Sequence, residues 1–202
     1  MTELKRSQPR LGRPSVVLPD PVPDHPLLNG KPEIGRGEYS IVLDKGDGER
    51  VYKLVSSPAD YFLLTADDRP RGKYFPIVYE DHGIIGRAIS GYPFHLIEME
   101  KLYPLDASSP ASELAQRLIN VYWAACQQGS RLGMNMGRIA LHHMVLNPMT
   151  FSGHENKPLQ EALSELSNFV DEYQVLPDIL NSDNLMMRKD GSLVFCDPVF
   201  IA

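Results

Sequence analysis

The fold predicted for this chain rests on residues 176–199, which read LPDILNSDNLMMRKDGSLVFCDPV. Within this stretch, two short apolar runs at 184–187 and 192–196 flank an Asp/Gly turn at 189–191. Short apolar runs on either side of such a turn are typical of a β-hairpin. The stretch therefore predicts a small hairpin with polar residues at both of its ends.

Three oxygen-bearing side chains adjoin this hairpin. Asp178 and Asn184 come before its first strand, and Asp197 ends its second strand. The amide oxygen of Asn184 and the carboxylate of Asp197 are hard ligands of the kind that suits Mg²⁺ bridging phosphates. Asp178 has the chemistry to accept or orient the proton of a hydroxyl group. The alternative, that these residues only cap turns, is disfavoured by the spacing of thirteen residues between Asn184 and Asp197.

A glycine-containing hairpin is predicted in the first half of the chain. Gly35 and Gly37 open it, and bare backbone at such a turn can approach phosphates closely. Lys53 follows on the next predicted strand, Arg50–Val55, and alternation puts it on the same face as Val51 and Val55. An ordinary hairpin and a solvated lysine are the simpler interpretations of each feature taken alone.

The order of elements predicts an α+β chain in which a β-rich part precedes a helical part. Residues 1–32 hold seven of the seventeen prolines and are predicted to be an extended or disordered leader. A short helix is expected at 58–66, behind an N-capping Ser57. Further strands are expected at 75–79, 83–88 and 95–99.

The helical part is predicted between residues 110 and 173. Apolar stripes at helical spacing run from Leu114 to Ala125 and from Leu159 to Tyr173. Trp123 is expected in the core, and residues 131–157 are expected to form an irregular connection or a short helix. A strand at 96–102 lies where the β-rich part joins the helical part.

Composition excludes several classes of protein. The net charge of −6 argues against a nucleic-acid partner, and the apolar runs are too short to span a bilayer. Cys126 and Cys196 do not lie in a metal-binding spacing, and a reducing compartment such as the cytoplasm fits them best.

Taken together, these motifs resemble the protein-kinase-like superfamily, in order and over residues 34–199. The chain is most similar to minimal kinases of bacteria and their viruses. One such group is the early serine/threonine kinase of T-odd podoviruses. The other is a compact class of type III effector kinases that phosphorylates a heat-shock chaperone of the eukaryotic host. The resemblance implies a two-lobed fold, with a β-rich N-lobe over about 33–100 and a truncated helical C-lobe over about 103–202.

The resemblance also implies ATP and Mg²⁺ as cofactors and assigns roles to individual residues. Lys53 matches the phosphate-binding strand lysine, Asp178 the catalytic-loop Asp, and Asn184 and Asp197 the metal ligands. Nucleotide contacts fall to Gly35, Gly37, Ser40, Val42, Glu100 and Leu102, where Ser40 replaces a third glycine, Val42 covers the adenine, and Met99–Leu102 form the gatekeeper and hinge. The implied partner is a protein substrate, such as a host chaperone, and the implied location is the cytoplasm or, after type III delivery, the host cytoplasm.

Three departures from the family pattern affect these expectations. Asp178 precedes Asn184 by six residues instead of five, so either the loop bulges or the catalytic position falls on Ile179 and the protein is impaired. No Glu follows Lys53 in the short helix, where Asp60 is the alternative partner. Only five residues follow Asp197, so the resemblance predicts no activation segment.

The alternatives are a pseudokinase that acts as a binding module and a small-molecule kinase, although the helical part is small for the latter.

Overall fold

A computed structural model describes residues 20–128, 136–147, 156–179 and 182–201. Its largest sheet has five antiparallel strands in the order β1-β2-β3-β5-β4. These strands are β1 Glu33–Arg36, β2 Ser40–Asp44, β3 Arg50–Val55, β4 Val78–Arg87 and β5 Pro93–Glu100. Helix α1, Pro58–Thr65, follows β3 and starts at the Ser57 N-cap, as the sequence predicts. The α+β class is confirmed.

Three further helices form most of the second half of the chain. They are α2 Pro110–Gln128, α3 Met136–Leu146 and α4 Asn156–Glu172. Helix α3 lies within the stretch 131–157 and packs against both α2 and α4. The predicted apolar stripes face this helical core, because Leu118 and Leu163 are fully buried.

Short strands complete the second half. Strands β7 Leu185–Met187 and β8 Leu193–Phe195 form the predicted terminal hairpin. Strands β6 Leu176–Pro177 and β9 Val199–Phe200 form a second two-stranded ladder beside it. The chain segments that carry Asp178 and Asp197 are therefore neighbours.

The structure corrects the predicted boundary of the N-terminal leader. Residues 1–19 lie outside the described part of the chain, but residues 20–32 pack onto the sheet. Leu28 is only 4% exposed and joins the apolar core on one sheet face with Phe94 and Leu96. Apolar residues between the prolines provide this contact, so the packed region begins before residue 33.

Two other expectations are wrong in detail. The strand expected at 75–79 starts only at Val78 and continues through the strand expected at 83–88 as one strand, β4, whose pairing with β5 shifts register three times. Such bulges allow one strand to continue through polar residues and Gly83. Trp123 is 52% exposed because it lies on the outer side of α2, away from the buried Tyr122. Among the described residues, no helix combines the length and apolarity needed to cross a membrane.

Candidate functional site

A cleft of about 1030 Å³ lies between the five-stranded sheet and the terminal short strands. It is lined from one side by the β1–β2 hairpin, β3 and the start of α1, and from the other by residues around the β7–β8 hairpin. All ten site residues expected from the sequence line this one cleft: Gly35, Gly37, Ser40, Val42, Lys53, Glu100, Leu102, Asp178, Asn184 and Asp197.

Lys53 supplies the buried positive charge of the cleft. Alternation along β3 turns Tyr52 and Leu54 into the apolar core on one face and Lys53 toward the cleft on the other. The lysine is 2% exposed, and its ammonium forms an ion pair with Asp197 Oδ1. Burial is the largest single effect and opposes the charge, but the nearby acidic groups, chiefly Asp197, together outweigh it and raise the pKa of Lys53. Lys53 is therefore charged at neutral pH.

Asp60 brings a second carboxylate to the same ammonium. It lies in the first turn of α1, where its N–H donates to Ser57 Oγ at 3.4 Å. The helix cap is thus Ser57, which leaves the Asp60 side chain in the electrostatic field of Lys53. Burial and the neighbouring Asp197 raise the pKa of Asp60 to about 6. The short helix after Lys53 contains no Glu, and Asp60 is the acidic residue of this helix that lies near the lysine.

Asn184 and Asp197 are held together by main-chain hydrogen bonds. The backbone carbonyl of Asn184 accepts hydrogen bonds from Cys196 N at 2.8 Å and from Asp197 N at 3.4 Å. The Asn184 amide nitrogen donates to the Asp178 carbonyl at 3.0 Å. Because the donor end of this amide is used, the oxygen end is the one left for a ligand. The geometry brings the three residues that adjoin the terminal hairpin into one network.

The structure shows which of the two adjacent residues, Asp178 or Ile179, faces the cleft. The Ile179 side chain is fully buried in the helical core, whereas Asp178 lines the cleft. The backbone fixes this orientation, since Asp178 N donates to the Pro198 carbonyl at 2.7 Å in continuation of the β6–β9 ladder. The carboxylate at the cleft is therefore that of Asp178, despite the extra residue in the spacing.

Helix α3 supports the loop that carries Asp178. The Tyr122 hydroxyl donates to the Pro177 carbonyl at 3.1 Å from α2. A Cβ atom on Gly137 would lie 2.6 Å from the Tyr122 oxygen and 3.2 Å from Pro177 Cγ. Close packing at this point requires glycine, so α3 braces the loop from behind.

Packing within the fold does not require glycine at Gly35 or Gly37. Gly37 N donates to the Ser40 carbonyl at 2.9 Å, which closes the turn between β1 and β2. A Cβ on Gly35 would meet only Val42, at an ordinary distance of 3.7 Å, and one on Gly37 would meet Ser40 Oγ at 3.3 Å. These glycines therefore leave the backbone bare toward the cleft more than they relieve strain.

At the other end of the cleft, Arg188 fixes the segment after β5. Its guanidinium donates to both carboxylate oxygens of Glu100, at 2.8 and 2.7 Å, and to the Phe75 carbonyl at 3.0 Å. Two main-chain hydrogen bonds between Tyr103 and Met187 add to this connection. The Leu102 N–H between these contacts has no hydrogen-bond partner among the residues that the structure describes. It is thus available to a ligand in the cleft.

Sequence reasoning did not identify Arg188 or the aromatic residues at the mouth of the cleft. Tyr39, Tyr92 and Phe200 line the cleft and are 47%, 52% and 42% exposed. Arg188 and Glu100 are 88 residues apart, so no local pattern connects them. For Tyr39, its position at the tip of the glycine hairpin was the sequence feature that could have marked it as a cleft residue.

Cys196 lines the cleft immediately before Asp197. Burial raises the pKa of its thiol to about 12, so the thiol is neutral. Both cysteines, Cys126 and Cys196, are free. The thiol at this point contributes volume to the cleft wall.

A separate group of potential metal ligands lies on the sheet. Glu80, His82 and Glu98 bring one ligand atom each to within 4.8 Å of one another. However, Lys45 and Arg50 both donate to Glu98 Oε1 at 2.7 Å. These cations already neutralise much of the negative charge that would attract a metal.

No protein-family model matches this sequence, and a search of curated proteins also found no match. The interpretation of the cleft therefore depends on its own residues.

Proposed function

We propose that this protein is an ATP-dependent serine/threonine protein kinase with a two-lobed, protein-kinase-like fold. The observation that carries the proposal is the convergence of Lys53 from the sheet with Asn184 and Asp197 from the terminal hairpin in one cleft. Lys53 lies more than 130 residues before both Asn184 and Asp197 in the sequence, so only the fold brings the lysine to these two oxygen ligands. A buried lysine and two oxygen ligands are the groups that hold a metal–triphosphate.

The donor set at the cleft fits Mg²⁺. Asp197 uses Oδ1 for Lys53, while Oδ2 has no hydrogen-bond partner within the described parts of the chain. Asn184 commits its amide nitrogen to Asp178 and keeps its oxygen. A carboxylate oxygen and an amide oxygen are the hard ligands that Mg²⁺ prefers. Asn184 and Asp197 would hold this ion, and ATP bound with it would supply the γ-phosphoryl group for transfer.

The remaining residues would position the reactants. Lys53 would donate to phosphate oxygens, and its ammonium would offset negative charge in the partly closed cleft. Asp178 would accept the proton of the acceptor hydroxyl. The Leu102 N–H would donate to the adenine, and the bare backbone at Gly35 and Gly37 would allow close approach of the phosphates. Catalysis would be mainly positioning and charge neutralisation.

The substrate class and location follow from the resemblance in sequence. They are a protein acceptor such as a host heat-shock chaperone, and the cytoplasm of either the producing cell or a host. A nucleotide- or partner-binding module without transfer is the main alternative, and the six-residue spacing from Asp178 to Asn184 is the observation in its favour.

The test is transfer from γ-labelled ATP with Mg²⁺ by wild type, Asp197→Asn and the matched control Asp67→Asn. Asp67 is an exposed carboxylate away from the cleft. Label on this protein or on lysate proteins should fall about 100-fold or more in Asp197→Asn and stay unchanged in Asp67→Asn. Nucleotide binding with no transfer would support the binding module instead. Label confined to small metabolites would refute a protein acceptor.

A further inference from the structure

Residues 20–32, which we call the N-terminal strap, lie on the face of the five-stranded sheet that points away from the cleft. Leu28 is buried against this face, and Leu27 is partly buried beside it. A Cβ atom on Gly86 of β4 would lie 3.0 Å from Pro23 Cγ, so the strap runs almost directly over the backbone of that strand. The strap is therefore a packed layer of the sheet, and its first residue has a defined position.

That first residue, Asp20, connects two loops near the mouth of the cleft. Its carbonyl accepts a hydrogen bond from Arg36 Nη1 at 2.7 Å. Its carboxylate accepts a second one from the N–H of Ile89, in the turn between β4 and β5. Arg36 lies in the glycine hairpin, between Gly35 and Gly37. Asp20 thus links the glycine hairpin to a neighbouring turn of the sheet.

Arg36 uses all three nitrogens of its guanidinium to hold the hairpin. Besides the contact with Asp20, its Nε and Nη2 atoms donate to the two carboxylate oxygens of Glu33 at 2.8 and 2.6 Å. Arg36 therefore lines the cleft with its donors already bound to the hairpin and the strap. A planar two-point contact of this kind fixes the side chain. It also restrains the backbone between two glycines, which would otherwise have wide conformational freedom.

The other side of the same turn is held from β3. The Tyr39 carbonyl accepts hydrogen bonds from Ser56 N at 2.8 Å and from Ser56 Oγ at 3.1 Å. Ser56 is only 4% exposed and lies in the short connection between β3 and α1. The turn is therefore anchored on both sides, by Arg36 to the strap and by Tyr39 to the sheet.

Two main-chain donors between these anchors are left for a ligand. Glu38 and Tyr39 lie outside the strands, and their N–H groups have no hydrogen-bond partner among the residues that the structure describes. The Gly37 N–H, in contrast, is used to close the turn. Free main-chain N–H groups hold an anion best when binding does not first have to order them. Anchoring of the turn should therefore increase the affinity for phosphate.

We propose that Asp20, Arg36 and Ser56 are positioning residues that hold the glycine hairpin over the triphosphate of ATP and thereby set the affinity of the cleft for Mg²⁺–ATP. None of the three has to touch the nucleotide. This inference rests on the proposed kinase function, because it takes the phosphates to lie under this hairpin. An anchored hairpin contacts the nucleotide equally in the ground state and in the transition state. Loss of an anchor should therefore raise KM for ATP and leave kcat nearly unchanged.

The first experiment measures Mg²⁺–ATP binding by the full chain in calorimetry, together with KM and kcat for transfer from γ-labelled ATP. Arg36→Gln should weaken ATP binding and raise KM about tenfold, with kcat within about twofold of wild type. Ser56→Ala keeps the Ser56 N–H and should have a smaller effect of about threefold. The matched controls are Arg71→Gln, an exposed arginine that donates to the Asp67 carbonyl, and Ser167→Ala, an equally buried serine of α4. Both controls should bind ATP like wild type.

Asp20 separates anchoring from direct contact with the nucleotide. Asp20→Ala removes the acceptor for the Ile89 N–H and should weaken ATP binding about fivefold. Asp20→Asn keeps an acceptor oxygen at this position and should bind ATP like wild type. If Arg36 itself contacted the phosphates, Asp20→Ala would leave ATP binding unchanged or stronger, because it would loosen the hold of the strap on the guanidinium. Equal losses in the two Asp20 variants would also contradict the inference.

A readout without nucleotide shows whether the hairpin is anchored. Amide hydrogen exchange in the free protein, followed by NMR, should be about tenfold faster at Gly37 and Ser56 in Arg36→Gln than in wild type. Faster exchange with unchanged ATP affinity would overturn the inference, and so would a lower kcat at unchanged KM.

The two proposals fail in different ways. Asp197-dependent transfer with an unchanged KM in the Arg36 and Asp20 variants would overturn this inference and leave the kinase proposal standing. ATP binding that responds to these variants, without any transfer, would support the anchoring of the hairpin and refute the kinase. If wild type bound no Mg²⁺–ATP, both proposals would be wrong.

Discussion

Replacement of Asp60 by Asn should change how the free energy of unfolding depends on pH. Asp60 is 8% exposed, and its pKa is raised from its ordinary value of 3.8 to about 6, chiefly by burial and then by Asp197. A carboxyl group whose pKa rises on folding stabilises the protein while protonated. That stability is complete below pH 3.8 and decreases as the pH rises through 6. The shift corresponds to about 3 kcal/mol in total, of which about 2 kcal/mol falls between pH 4 and pH 6.

The assay is urea unfolding of wild type and Asp60→Asn at several pH values from 4 to 8. The difference between the two proteins cancels the titration of the groups that do not interact with Asp60. Asn carries no charge, so the variant should gain about 2 kcal/mol relative to wild type as the pH rises from 4 to 6. Asp67→Asn, at an exposed site, should track wild type throughout. A difference that is flat, or that falls with pH, would refute the reasoning, because it would mean that Lys53 stabilises the Asp60 carboxylate at least as much as burial and Asp197 oppose it.

Three further changes test the frame around the cleft. Arg188→Ala should lower the free energy of unfolding by about 3 kcal/mol or more, because it leaves the buried Glu100 without its cation. The control Lys189→Ala, which removes the neighbouring exposed cation, should lower it by under about 1 kcal/mol. Urea unfolding measures both. Gly137→Ala should destabilise by about 1–3 kcal/mol because its Cβ would crowd the Tyr122 hydroxyl, and adding Tyr122→Phe should restore part of the loss in thermal unfolding. Gly35→Ala should change the free energy of unfolding by under about 0.5 kcal/mol, because its Cβ has room. It should weaken ATP binding about tenfold, as measured by calorimetry. If ATP binding is unchanged, the glycine hairpin does not approach the phosphates.

Features encoded by local pattern could be predicted from the sequence. Strand β3 and helix α1 lie where the alternation after the glycine hairpin and the Ser57-Pro58 start signal place them. The terminal hairpin follows from its Asp/Gly turn and two short apolar runs. The face of Lys53 follows from the twofold period of a strand. These local patterns, together with the family resemblance that assigned the nucleotide contacts, supplied the ten candidate site residues that line one cleft.

Features that depend on distant partners could not be predicted. Leu28 is buried because Phe94 and Leu96 lie beneath it, and a proline-rich segment carries no periodic signal of that contact. Trp123 belongs to an apolar stripe by composition, but Tyr122 occupies the buried side of α2 at that turn. Ile179 is buried by the helical core, and only this packing shows that Asp178 is the residue that faces the cleft.

The charges in the cleft are themselves an argument for a cationic ligand. Lys53 is shared between the buried Asp60 and the partly exposed Asp197, so this group carries one positive and two negative charges when fully ionised. Buried ion pairs seldom add to stability, and apolar residues of similar size would often hold a fold together better. Burial first, and the neighbouring Asp197 second, raise the pKa of Asp60, so part of that shift reflects the surplus negative charge. A divalent cation held by Asp197 and Asn184 would remove that surplus and allow Lys53 to serve Asp60 and a phosphate. The arrangement is therefore unfavourable for stability alone and suited to a metal-bound anion, which is the chemistry that the proposed function requires.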